Sequence, residues 1–130
     1  SPYDEENLRN AVEAAAFNAD LATMRDGLAS EIGESGTTLS GGQKQRLAIA
    51  RAIYGDPALL IVDDALAAVD GKVASRIWES VFEDRRRKGL ATVCALNQTN
   101  FLPNFDRCIS NLIYQIIFFN LCCFFSFDFF

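Results

Sequence analysis

The sequence predicts an α/β fold built on parallel strands, and three observations carry that expectation. Residues 58–62 form a short continuous apolar run, the pattern of a strand buried on both faces of a parallel sheet. Ala91–Leu96 reads as a second buried strand. Between them, residues 71–86 place Val73, Ile77 and Val81 four apart, which gives a helix one apolar face. Strand, helix and strand in that order make a crossover unit, the connection that parallel strands need.

From the N-terminus, Asp4 suits a helix cap, and Glu5 and Glu6 put negative charge where the helix dipole favours it. Leu8, Val12, Ala15 and Ala16 then share one face. A second short helix is expected over residues 20–25, stopping at Gly27, and residues 28–38 are polar and glycine-punctuated, hence a loop. Ser40 and Gln43 have the S-x-x-Q spacing of a capping box. Leu47, Ala50 and Tyr54 extend that helix's apolar face until Gly55-Asp56-Pro57 breaks it. Past the two buried strands, Arg107–Ser110 is expected to begin a third.

A chain of 130 residues holds one domain at most. Its net charge of −5 argues against a nucleic-acid partner, which needs clustered Lys and Arg. The one basic run, Arg85-Arg86-Arg87-Lys88, precedes Gly89 at an expected helix end, where cations complement the dipole. The four cysteines show no C-x-x-C spacing, and no histidine is present to complete a zinc site. Reduced, buried thiols are the expectation. No basic-then-apolar signal pattern opens the chain.

Residues 39–43, Leu-Ser-Gly-Gly-Gln, followed by Lys44-Gln45-Arg46, are the most informative stretch. Downstream, the apolar run that includes Leu59 ends in two carboxylates, Asp63 and Asp64. In that order and spacing they resemble the second half of an ABC-type ATPase domain: its signature motif, then its Walker B strand. The resemblance covers about residues 1–110 and points to the multidrug-resistance-associated (C) subfamily. It implies a partial P-loop NTPase fold with a helical signature subdomain, ATP and Mg²⁺ as cofactors, and two kinds of partner. One is an opposing nucleotide-binding domain carrying Walker A. The other is the transmembrane part of a parent exporter, with this chain on the cytoplasmic face of the membrane.

The resemblance also assigns residues. Ser40, Gly41, Gly42 and Gln43 would cap the γ-phosphate of ATP held opposite, since glycines allow close backbone approach and a helix start presents free N–H groups. An ordinary capped helix with a Gly-Gly entry is the plainer alternative. Asp63 would hold Mg²⁺ through water. Asp64 stands where most members carry a glutamate that orients the attacking water; an aspartate falls about 1–1.5 Å short, and catalysis is sensitive to such displacement. Asn97 stands where the family's switch histidine senses the γ-phosphate, and asparagine never becomes cationic. Asp70, in the D-loop sequence Ala67-Ala68-Val69-Asp70, would contact the partner domain. Residues 30–36 resemble the short loop by which exporters touch their membrane domain, and a solvated acidic loop is the alternative.

No G-x-x-x-x-G-K-[ST] occurs; the one Gly-Lys pair, Gly71-Lys72, is followed by Val73. The expectation is therefore a C-terminal segment of the domain, lacking the P-loop half and unable to bind ATP tightly alone. Its expected divisions are residues 1–57, the helical signature part; 58–110, from Walker B strand to switch strand; and 111–130, a foreign hydrophobic tail. That tail is rich in Phe with one charge, Asp128. Read-through of a pyrimidine-rich intron end is preferred over a membrane span, which the tail's length permits. Two other functions stay open: a soluble ABC ATPase of DNA repair or translation, and a catalytically degenerate or truncated regulatory piece.

Overall fold

The computed structural model describes residues 4–33, 38–110 and 116–120. Helix α1 spans Glu5–Ala14, capped by Asp4, whose Oδ1 accepts from the backbone of Glu6 at 3.0 Å and Asn7 at 3.1 Å. Ala11, Val12 and Ala15 are buried. Helix α2, Asn18–Thr23, starts two residues before the expected position, so Asp20 lies inside its first turn. Helix α3, Gly41–Ile53, carries the expected capping box.

Strand β1, Leu59–Asp63, and strand β2, Ala91–Leu96, pair in parallel, with Leu59 opposite Ala91 and Asp63 opposite Ala95. The crossover between them is helical but not uniform. Helix α4, Gly71–Ile77, runs into a π-helical stretch, Trp78–Glu83, before a last α-helical turn, α5, Asp84–Arg87. Ser80 accounts for part of this: its Oγ lies 2.8 Å from the Arg76 carbonyl four residues back and 2.7 Å from that of Ala14. A hydroxyl that back-bonds in this way loosens the regular helical ladder. The wider turn lets Trp78, Val81 and Phe82 all be buried.

Two further strands complete the sheet, β3 at Arg107–Ser110 and β4 at Ile116–Asn120, in the order β1-β2-β4-β3. β4 runs antiparallel to both β2 and β3. The sheet is thus mixed, where an all-parallel one was expected. β4 lies within the tail set apart by the sequence reading; residues 111–115 and 121–130, where most of that tail and the membrane-span reading fall, are outside the described residues. Among the described residues no helix is long and apolar enough to cross a membrane.

The core lies against one face of the sheet. Leu60 and Val62 of β1 and Cys94 and Leu96 of β2 pack in one cluster with Ile49, Ala50, Ile77, Trp78, Val81 and Phe82. Trp78 stacks on Phe82 and Phe101 at ring-centre distances of 4.8 and 4.5 Å. Each large side chain so buried contributes about 1.5–3 kcal/mol. The other face differs from the expectation of strands covered on both sides. Burial along β1 alternates, and Leu59 and Ile61 are 50% and 71% exposed. A continuous apolar run shows that both faces suit an apolar surrounding; it does not supply the second layer.

The basic run divides by burial. Arg85 is buried, donating from Nη2 to the carbonyls of Pro57 at 2.7 Å and Ala91 at 3.1 Å and from Nε to Thr92 Oγ1 at 3.2 Å. It ties α5 to β2 and to the segment just before β1. Burial pulls its pKa below the ordinary value, and Asp56 at 3.8 Å opposes that. Arg86, Arg87 and Lys88 instead form surface ion pairs with Asp106, Glu79 and Asp84.

Candidate functional site

The start of α3 is built from its own sequence. Ser40 has extended backbone angles, and its Oγ accepts from the Gln43 amide at 3.2 Å while Gln43 Oε1 accepts from the Ser40 amide at 2.8 Å. Leu39 is buried just before it, and Ser40 and Gly41 are exposed. A capped helix start of this kind still turns N–H groups outward and favours negative charge.

Asp20, which the sequence did not mark, anchors this helix sideways. Its carboxylate accepts two hydrogen bonds from Arg46 Nη2, at 2.7 and 2.9 Å, one from Arg46 Nε at 3.0 Å, and one from Gln43 Nε2 at 3.1 Å. Both amide ends of Gln43 are therefore engaged inside the chain. The opposite charges of Asp20 and Arg46 are visible in the sequence, but nothing local pairs residues that far apart.

Asp63 ends β1 with its side chain exposed, at the C-terminal edge of the parallel pair where ligands of open α/β sheets bind. Asp64 follows with φ of 44°, a left-handed conformation uncommon for a residue other than glycine. Its amide extends the ladder to the Ala95 carbonyl at 2.8 Å. Its Oδ2 accepts from Asn97 Nδ2 at 3.1 Å, and its Oδ1 is buried with no partner among the described residues. The two residues the sequence marked as departures from the family pattern thus meet. Gln98, next along, donates to the Leu66 carbonyl at 3.0 Å and so pins the turn after Asp64.

Gly42 packs against that same turn. A Cβ on Gly42 would lie 2.8 Å from the Ala68 carbonyl oxygen, whereas one on Gly41 would meet only the Ala68 methyl at 3.6 Å. Gln45 spans the junction as well, donating to the Asp64 carbonyl at 3.3 Å and accepting from the Ala68 amide at 2.9 Å. Asp70 faces α4, where its carboxylate caps the helix by accepting from the Lys72 amide at 3.0 Å. The structure therefore joins Ser40 to Gln43, Asp64 to Asn97, and the two glycines to Ala68. Asp63 and Asp70 are exposed, and among the described residues neither side chain hydrogen-bonds to the others.

A cavity of about 360 Å³ lies elsewhere. It lies between α1, α2 and α3, is lined by apolar side chains such as Val12, Phe17, Met24 and Leu47 and by Ser30 and Ile32, and touches none of the residues expected to face the nucleotide. Of the loop resembling an exporter's contact segment, residues 34–36 are outside the described residues; Ser30 closes a local turn by accepting from the Asp26 amide.

A family model described as ABC transporter matches residues 4–67. The chain is 44% identical over 103 residues to ABC transporter C family member 3 of Dictyostelium discoideum, covering 79% of this chain and 7% of that protein. It is 41% identical over 107 residues to a multidrug resistance protein of Leishmania tarentolae, covering 80% and 7%. With ATP-binding cassette sub-family C member 3 of Rattus norvegicus it shares 39% identity over 106 residues, covering 81% and 7%. The chain spans less than a tenth of the length of these relatives.

Proposed function

Because this chain belongs to the ABC transporter family, we propose that it is part of the ATP-binding and ATP-hydrolysing domain of an exporter of the C subfamily. There it helps couple ATP binding and hydrolysis to movement of a solute across a membrane. The observation that carries this reading is the contact between Asp64 and Asn97, 33 residues apart, at the C-terminal end of the parallel strand pair. Asp64 orients the attacking water, and Asn97 senses the γ-phosphate. Ser40, Gly41 and Gly42 present the start of α3 to the γ-phosphate of ATP held by an opposing domain. Gln43 acts through the cap, since its amide is engaged internally. Asp70 meets the partner domain.

The donor set fits Mg²⁺. Adjacent carboxylates, one exposed and one with an unpartnered oxygen, suit a hard cation that takes one or two carboxylates and completes its shell with water and phosphate oxygens. Asp63 would hold it; when bound with ATP it would neutralise charge on the phosphates. Such chemistry is mostly positioning and charge neutralisation, so geometry decides the rate.

The chain contains no phosphate-cradling G-x-x-x-x-G-K-[ST] sequence. The parent protein and the opposing domain supply the missing pieces of the site, and the transmembrane partner couples it to transport at the cytoplasmic face. The 130-residue chain alone is expected to bind ATP weakly or not at all in titration calorimetry with Mg²⁺, and tight binding would contradict this. The site itself is tested in the intact protein with Asp64→Asn. Loss of ATP turnover supports the catalytic role. Unchanged turnover favours the second reading, a regulatory nucleotide site, which the tie between Asp64 and the uncharged Asn97 also suits.

A further inference from the structure

We propose that Gln45 is a positioning residue for this site. Its side-chain amide clamps the start of α3 to the turn carrying Asp64, so that the phosphate-facing helix end and the carboxylate shift as one piece. The proposal rests on the reading of Asp64 as the group that orients the attacking water.

Gln45 is half-buried, and each end of its amide has a different task. Nε2 donates to the Asp64 carbonyl at 3.3 Å, and Oε1 accepts from the Ala68 amide at 2.9 Å. One planar group thus brackets the turn from 64 to 68. Only an amide offers a donor and an acceptor at once in this arrangement: glutamate lacks the donor, lysine lacks the acceptor, and asparagine is one methylene shorter.

What is bracketed is strained. Asp64 holds a left-handed φ, a conformation that persists only where its surroundings over-determine it. Here they do so from both sides. β2 holds the Asp64 amide through Ala95, and Asn97 holds its carboxylate. Its carbonyl is shared by Ala67 within the turn and by Gln45 from α3. Gln45 is therefore the contact that refers the strained residue to the helix bearing Ser40 and the glycines. Close packing of Gly42 on the Ala68 carbonyl seats the turn at the same place.

Two substitutions separate the halves of the clamp, read by amide hydrogen exchange on the full chain and by ATP turnover of the intact protein. Gln45→Ala is expected to speed exchange at the Ala68 amide roughly tenfold, the scale of one net hydrogen bond, with the β1 and β2 amides unchanged. Gln45→Glu keeps the acceptor and so keeps Ala68 protected. Both variants are expected to lower kcat by about tenfold or more, as a displaced reacting group does, with KM for ATP held within about twofold. Unchanged exchange at Ala68 in Gln45→Ala overturns the clamp. A rise shared by the strand amides also overturns it, because that marks general loss of stability. Full kcat with Ala68 deprotected overturns the positioning role. Absence of turnover in the unmodified intact protein would instead remove the reading of Asp64, while the exchange result still judges the clamp.

Discussion

Asp64 answers two demands with one side chain: it closes a turn in a left-handed conformation, and it presents a carboxylate to Asn97. Aspartate tolerates that backbone better than most residues because its short polar side chain bonds locally. The cost is reach. Asp64→Glu is expected to raise ATP turnover of the intact protein several-fold, and Asn97→His to raise it further by supplying a group that can carry charge; a fall on both substitutions would contradict the roles assigned. Cys94 offers a separate test at this scale. It is fully buried, and that burial pushes its thiol from 9.0 up to about 12. An acid whose pKa is raised in the fold loses its proton first in the unfolded chain. Its contribution to stability therefore falls as pH rises from about 9 towards 12, with a slope of up to about 1.4 kcal/mol per pH unit. Cys94→Ala should flatten the decline of the urea midpoint over that interval, and parallel curves would show that the thiol is not responsible.

Among the elements, α3 gathers the most anchoring contacts in the shortest sequence. Its capping box, its double anchor to Asp20 and its seat on Ala68 all fall within its first two turns. The two glycines at its start should therefore respond differently to a methyl group. Gly41→Ala meets ordinary contact, and alanine's helix propensity exceeds glycine's, so stability is expected to hold or rise by up to about 1 kcal/mol. Gly42→Ala puts a Cβ against a backbone carbonyl, which forces the 64–68 turn aside and is expected to cost about 1–3 kcal/mol. Thermal unfolding of the two variants measures the contrast, and equal midpoints would show that the turn yields freely. The crossover helix shows the reverse relation between sequence and element. Val73, Ile77 and Val81 announce a helix, but not its wide π turn, within which the Ser80 hydroxyl lies against the carbonyls of Arg76 and Ala14.

Among the described residues, the sheet packs one face against the helices, and on the other face β1 is exposed while β2 is half-buried. Leu59 and Ile61 on the open face are adjacent alternate positions of β1, an edge strand in the sheet order. Exposed apolar edges favour association. Leu59→Thr with Ile61→Thr should reduce light scattering at high concentration while changing stability by no more than about 0.5 kcal/mol, as for other surface changes. A loss of several times that amount would mean that the face is covered in the folded chain.

The caps at Asp4 and Ser40, the breakers around Gly55, the crossover between β1 and β2 and the place of Asp63 at the strand end were all legible in the sequence. Each is written in residues a few positions apart, where helix and strand periods translate directly into geometry. Asp20 with Arg46, Gln45 with Ala68 and Asp64 with Asn97 were not legible as pairs, although most of their members stood in recognisable stretches. The mixed pairing of β3 and β4 and the open face of β1 were equally hidden. These features depend on where a distant part of the chain returns, and a hydrogen bond or a covering layer exists only once that return has been made. The sequence by itself determined which residues stand at motif positions; the tertiary structure decided which of them touch, because contact between distant segments exists only once the chain has folded back.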